Sequence, residues 1–163
     1  MKRAIALLEK HNLLKIISDE LDINLEIPHI AYVEVKRPDS KAILFTNVVD
    51  RKNSKKFKEP VLMNVFCNED AVKLFIGDGD KIGSEIESLL KLKPPVTFSE
   101  KLSTLGKLFS LKNTIPKKLN KKGECQEVIK LGADAKLSDL PVLTTWEEDG
   151  GPFITMGQVY TQS

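Results

Sequence analysis

The sequence predicts an α+β protein: an N-terminal mixed α/β domain over residues 1–95, a connector over 96–123, and the first strands of a further domain over 124–163. Three observations predict it. Within residues 1–95, short apolar, partly β-branched runs alternate with stretches of helical apolar spacing. Pro94-Pro95 ends that pattern, and a helical, then basic, stretch follows. The charge also changes sign near Gly123. Residues 1–123 hold 23 Lys+Arg against 16 Asp+Glu, a net of +7, whereas residues 124–163 hold 2 against 7, a net of −5.

Ala4 to Ile17 reads as a helix, with Ile5, Leu8, Leu13 and Ile16 able to share one face, although Leu14-Lys15-Ile16-Ile17 can equally begin a strand. Ser18-Asp19-Glu20 reads as a turn or a helix cap. Pro28 interrupts the chain, and His29 to Val35 follows as helix or strand. Pro38-Asp39-Ser40 is a turn, because proline presets φ and short polar side chains bond nearby backbone. Ala42 to Val49 is a strand, short, apolar and partly β-branched. A polar loop from Asp50 to Glu59 leads to a second strand, Pro60 to Phe66, which pairs with it or lies in the same sheet. Asn68 caps the next helix, whose buried face is Ala71, Val72, Phe75 and Ile76, and Gly77-Asp78-Gly79 ends it. Lys81 to Leu92 is amphipathic, with Ile82, Ile86, Leu89 and Leu90 on one stripe. Ser99 to Leu111 is a shorter helical segment and Lys112 to Lys122 a basic connector. Cys125 to Lys130 is a strand and Leu137 to Pro141 a turn. Phe153 to Thr155 and Gln158 to Thr161 read as a strand broken or bent at Gly157.

Composition narrows the class. Hydrophobic content of 41% and charged content of 29% are globular values. No apolar run approaches the roughly 20 residues that span a bilayer. The start, Met1 to Lys10, has no small-residue cleavage site. Neither an integral membrane segment nor a signal peptide is expected. Cys67 and Cys125 make no CxxC pair, so a reducing, cytoplasmic setting is expected. The basic residues at 51–58 and 112–122 lack interleaved aromatics and read as solvated loops, with no nucleic-acid partner expected.

Most chemical motifs fail on spacing. In Gly77 to Gly83, Ile82 stands where a dinucleotide fingerprint needs its third glycine. Leu89 stands where a calcium loop begun at Asp78 needs its glutamate. His11 and His29 have no ligand-spaced partner, and no GxSxG is present. What remains is Leu140 to Thr155, with the only tryptophan (Trp146), three consecutive acids (Glu147, Glu148, Asp149) and Gly150-Gly151. It reads either as a hairpin turn with Trp146 packed as a lid, or as a loop shaped for a ligand or for docking.

That stretch, Leu140-Pro141-Val142-Leu143-Thr144-Thr145-Trp146 with Glu148-Asp149-Gly150-Gly151-Pro152-Phe153-Ile154-Thr155, resembles the UbiD family of (de)carboxylases. Glu147 departs from the family, where many members have proline. Ala42-Ile43-Leu44-Phe45-Thr46-Asn47-Val48 and Pro60-Val61-Leu62-Met63-Asn64-Val65-Phe66 resemble two family strands, and Cys125-Gln126-Glu127-Val128 resembles the lead into the central domain. The resemblance implies that residues 124–163 begin a split β-barrel flavin-binding domain. It implies reversible, non-oxidative decarboxylation of an aromatic or α,β-unsaturated acid, such as a hydroxybenzoate or naphthoate quinone precursor. Prenylated FMN would be the electron sink, with Mn²⁺ on its phosphate, a flavin prenyltransferase as cofactor supplier, and a homo-oligomer as the assembly. Thr155 is the one residue here that the resemblance places at the cofactor. The family's metal-binding asparagine, its further metal ligands and its Glu-Arg-Glu/Asp acid–base network correspond to positions after Ser163. The resemblance therefore implies no catalytic and no metal-binding residue in this chain, which is expected to be inactive alone. The alternative is a non-catalytic assembly module that docks to a flavin-carrying partner subunit. Either way, residues 124–163 are expected to be disordered or to pair with another copy, because an interrupted barrel leaves strand edges open.

Overall fold

The computed structural model describes residues 1–91, 116, 118, 120–123 and 126–157. The chain divides into two compact units, Met1–Gly77 together with Lys136–Ser163, and Asp78–Ala135.

The first unit opens with helix α1, Lys2–Lys10. The predicted helix from Ala4 to Ile17 is cut short. Asn12 takes a φ of +56°, a left-handed conformation that asparagine tolerates better than most residues. Leu14–Asp22 then forms strand β1. Ser18-Asp19-Glu20 is no turn. It lies within β1, where the register shifts between Ile17 and Glu20 in a bulge. Glu26–Val35 is helix α2, which resolves the helix-or-strand ambiguity of His29 to Val35. Pro28 is tolerated in its first turn because an N–H there has no intrahelical acceptor.

Strand β2, Ala42–Asp50, is the centre of a mixed sheet. It runs parallel to β1 on one side, with Ile17 opposite Phe45 and Asp22 opposite Val49. On the other side it is antiparallel to the short strands β3, Lys55–Lys56, and β4, Val61–Met63. The parallel pair needs a crossover, and α2 supplies it. The strand predicted over Pro60 to Phe66 is held to three residues. Asn64 turns out of the sheet at φ +56° and donates from its amide to the Ala31 carbonyl of α2 at 2.7 Å. The core gathers Ile27, Ile43, Phe45, Val48, Phe57, Val61 and Leu143. Helix α3, Glu69–Phe75, begins as predicted at Asn68, whose side chain accepts from the Ala71 N–H at 2.9 Å.

In the second unit, Gly79–Leu90 forms helix α4, capped by the Asp78 carboxylate. None of its residues is buried, and Leu90 is 82% exposed. Gln126 to Lys130 is not the predicted strand. Val128 and Ile129 are exposed there, and β-branched residues do not hold a strand without a neighbour to pair with. The helix expected over Ser99 to Leu111, most of the connector at 112–122, and Gln158 to Thr161 lie outside the described residues.

Candidate functional site

In the first unit, the stretch around Leu143 and Thr144 crosses the C-terminal end of β1 as a strap. The Thr144 N–H donates to the Ile23 carbonyl at 3.2 Å, and the Leu25 N–H donates to the Thr144 carbonyl at 3.0 Å. These bonds make a parallel bridge between Asn24 and Thr144. Leu143, 5% exposed, enters the core beside them. This part of residues 124–163 is therefore ordered by its own chain, contrary to expectation, because the backbone beyond β1 offers it a partner. Phe153 returns to donate to the Leu143 carbonyl at 2.9 Å. The predicted strand from Phe153 to Thr155 shrinks to that single bridge. Both backbone groups of Thr144 are already engaged with Ile23 and Leu25, beyond the end of β1, and Phe153 bonds to Leu143 instead. Thr155 lies exposed in the turn that follows.

A charged network fixes the backbone that receives the strap. Asp22, 8% exposed, accepts from the Asn24 N–H at 3.0 Å and the Arg51 N–H at 3.3 Å. Glu26 accepts from the Asp22 N–H at 2.9 Å and from the Arg51 guanidinium. The bond from Arg51 is the main reason that the Glu26 carboxyl sits below its ordinary range, and the Asp22 N–H adds to it. Arg51 also reaches the Glu20 carbonyl at 3.2 Å. Leu25 is held at φ +68°, uncommon for a branched side chain. Arg51, grouped by sequence among solvated loop cations, ties β1, α2 and the β2–β3 turn together.

Among the described residues, two cavities lie beside this segment. The first, about 670 Å³, has Tyr32 and Trp146 among its walls and Pro28, Val35 and Met63 among its apolar lining. The two rings meet edge to face, with centroids 5.5 Å apart at 77°. Lys36 Nζ lies 4.9 Å from the Tyr32 centroid. The three acids divide here. The Asp149 carboxylate turns back to accept from the Thr145 and Trp146 N–H groups at 3.2 and 2.9 Å, whereas Glu147 and Glu148 line the cavity. Asp149 thus makes the turn, while Glu147 and Glu148 border the cavity. His29 lines the same cavity, while His11 borders a separate cleft.

The second cavity, about 820 Å³, is lined mainly by apolar side chains, including Phe57, Leu140, Val142, Phe153 and Ile154. Lys55 lies 5.0 Å from the Phe57 centroid and donates to the Ser138 carbonyl. Sequence reasoning had given Tyr32 and Phe57 no part in any site. No local motif marks them, since chain folding alone brings them beside residues more than eighty positions away.

Among the described residues, no three His, Cys, Asp or Glu side chains come together to hold a metal ion. Thr155, the residue that the resemblance places at the cofactor, is exposed in its turn. Fold and site together define a compact α/β unit in which Met1–Gly77 and Lys136–Ser163 join, the latter paired to the backbone that follows β1. Residues 5–90 match the family described as 3-octaprenyl-4-hydroxybenzoate carboxy-lyase N-terminal domain, and residues 117–163 match the Rift-related domain of the same carboxy-lyase. The chain belongs to the UbiD family. An uncharacterised protein of Helicobacter pylori is 41% identical over 100% of this chain and 27% of its own length. One from Aquifex aeolicus is 38% identical, and one from Aeropyrum pernix 31% identical, each over 95% of this chain and 31% of its own length. The chain thus spans 27–31% of the length of these relatives.

Proposed function

We propose that this chain is the N-terminal portion of a cytoplasmic UbiD-type carboxy-lyase. The whole enzyme removes carboxylate reversibly from an aromatic acid, such as a hydroxybenzoate or naphthoate quinone precursor, using prenylated FMN and Mn²⁺, and residues 1–163 alone do not. The reading is carried by the two carboxy-lyase family matches, which occur in order on one chain about three-tenths the length of its relatives. The contribution of this portion is positional. Leu143 and Thr144 anchor the start of the second domain to the first, and the Asp22–Glu26–Arg51 network stiffens the anchor point. The test is to incubate the 163-residue chain with prenylated FMN, Mn²⁺ and an aromatic acid. No CO₂ release is expected, and measurable release overturns the claim that the chain is inactive alone.

A second reading makes the chain an assembly module that docks to a flavin-carrying partner subunit. Its support is the apolar second cavity, beside which Leu137, Leu140 and Ile154 are exposed. Mixing the chain with a separate polypeptide corresponding to the remainder of a relative separates the two readings. Stable association and activity in trans support the module, and failure to associate supports a single continuous enzyme.

A further inference from the structure

We propose that the first cavity is a binding site for an organic cation, an ammonium or guanidinium group carried on an apolar or aromatic body. The inference is independent of the carboxy-lyase reading, and it assigns the cavity to a ligand of opposite charge to an aromatic acid. Three features of the cavity agree. Its lining includes Tyr32 and Trp146, whose rings meet edge to face and whose π systems attract cations within about 6 Å of the ring centroid. The chain already uses that attraction, since Lys36 Nζ lies 4.9 Å from the centre of the Tyr32 ring. Glu147 and Glu148 also line the cavity, and among the described residues neither is ion-paired. Asp149, the third acid, is occupied by the Thr145 and Trp146 N–H groups and so holds the Trp146 backbone in place. The apolar lining from Pro28, Val35 and Met63 suits the hydrocarbon part of such a ligand. A carboxylate in the same place would face two like charges.

Trp146 is the only tryptophan in the chain, so its fluorescence reports this cavity directly. The experiment titrates the 163-residue chain at pH 8 and low salt with benzylammonium, benzyl alcohol and benzoate, three probes that share a ring and differ in charge. Benzylammonium is expected to bind at least threefold tighter than benzyl alcohol and at least tenfold tighter than benzoate. Equal affinity for all three, or preference for benzoate, overturns the proposal. In the double variant Glu147→Gln/Glu148→Gln, with circular dichroism unchanged, the preference over benzyl alcohol should fall below twofold, and an undiminished preference also overturns it. Lys36→Met removes the cation that already lies over the Tyr32 ring and should tighten benzylammonium binding two- to threefold, whereas weaker binding overturns the proposal. A free amine and a side chain of another polypeptide present the same chemistry. Tighter binding of N-acetyl-arginine amide than of benzylammonium assigns the site to a polypeptide, and the reverse order assigns it to a small molecule.

Discussion

Asn68 holds two elements with one side chain. Its oxygen caps α3 at the Ala71 N–H, and its amide donates to the Ser40 carbonyl at 2.8 Å. Replacing it with alanine removes both bonds and should cost about 1–2 kcal/mol in urea unfolding. Aspartate keeps the cap but loses the donor, so Asn68→Asp should fall between alanine and the wild type. Glu26 sets a pH dependence. Its folded carboxyl titrates below the ordinary range because Arg51 bonds to it. That stability is therefore present above the ordinary carboxylate pKa of about 4.3 and is lost as pH falls through the lower folded value. Arg51→Met should flatten the decline in unfolding midpoint between about pH 5 and pH 3. An unchanged slope would show that the pair does not titrate as described. At Cys67, burial pushes the thiol up, which lowers the reactive thiolate fraction. In a Cys125→Ser background, iodoacetamide should modify Cys67 several-fold more slowly in the native protein than in urea.

At the scale of elements, the strap depends on Leu143. Truncation to alanine empties a site among Ile27, Phe45 and Val61, and should cost about 2–5 kcal/mol. The Leu25 and Thr144 amides should lose hydrogen-exchange protection at the same time, because their bonds to the Thr144 and Ile23 carbonyls hold the strap on the backbone beyond β1. Ile154→Ala, at an exposed position, should change stability by less than about 0.5 kcal/mol. Elements with strong local signals were legible in advance. β2 was plain from its apolar run, α3 from its cap, and the turn at Pro38 from its residue types. β1 was half legible. Its apolar start allowed a strand, but Ser18-Asp19-Glu20 carries turn chemistry, and only pairing with β2 draws it into the ladder as a bulge.

Across the whole molecule, Trp146 and the sheet belong to one compact unit although more than eighty residues separate Trp146 from β4. Unfolding of that unit followed by Trp146 fluorescence should therefore coincide with the far-ultraviolet transition of the sheet. An earlier fluorescence midpoint would mean that the strap detaches first. By itself the sequence determined the family, through the ordered pattern from Leu140 to Thr155 and the two strand motifs. It also determined β2, the capped start of α3 and the turn at Pro38, because local periodicity and capping carry that information, while it left β1 and α2 open between helix and strand. Only the tertiary structure decided that Thr144 pairs with Asn24, that Arg51 serves Glu26, and that Trp146 meets Tyr32. Each of those contacts joins residues 20 or more positions apart, and its residue types suit many other partners equally well. The choice among them is made by the burial of Leu143 and by the backbone hydrogen bonds beyond β1 that packing of the core makes available.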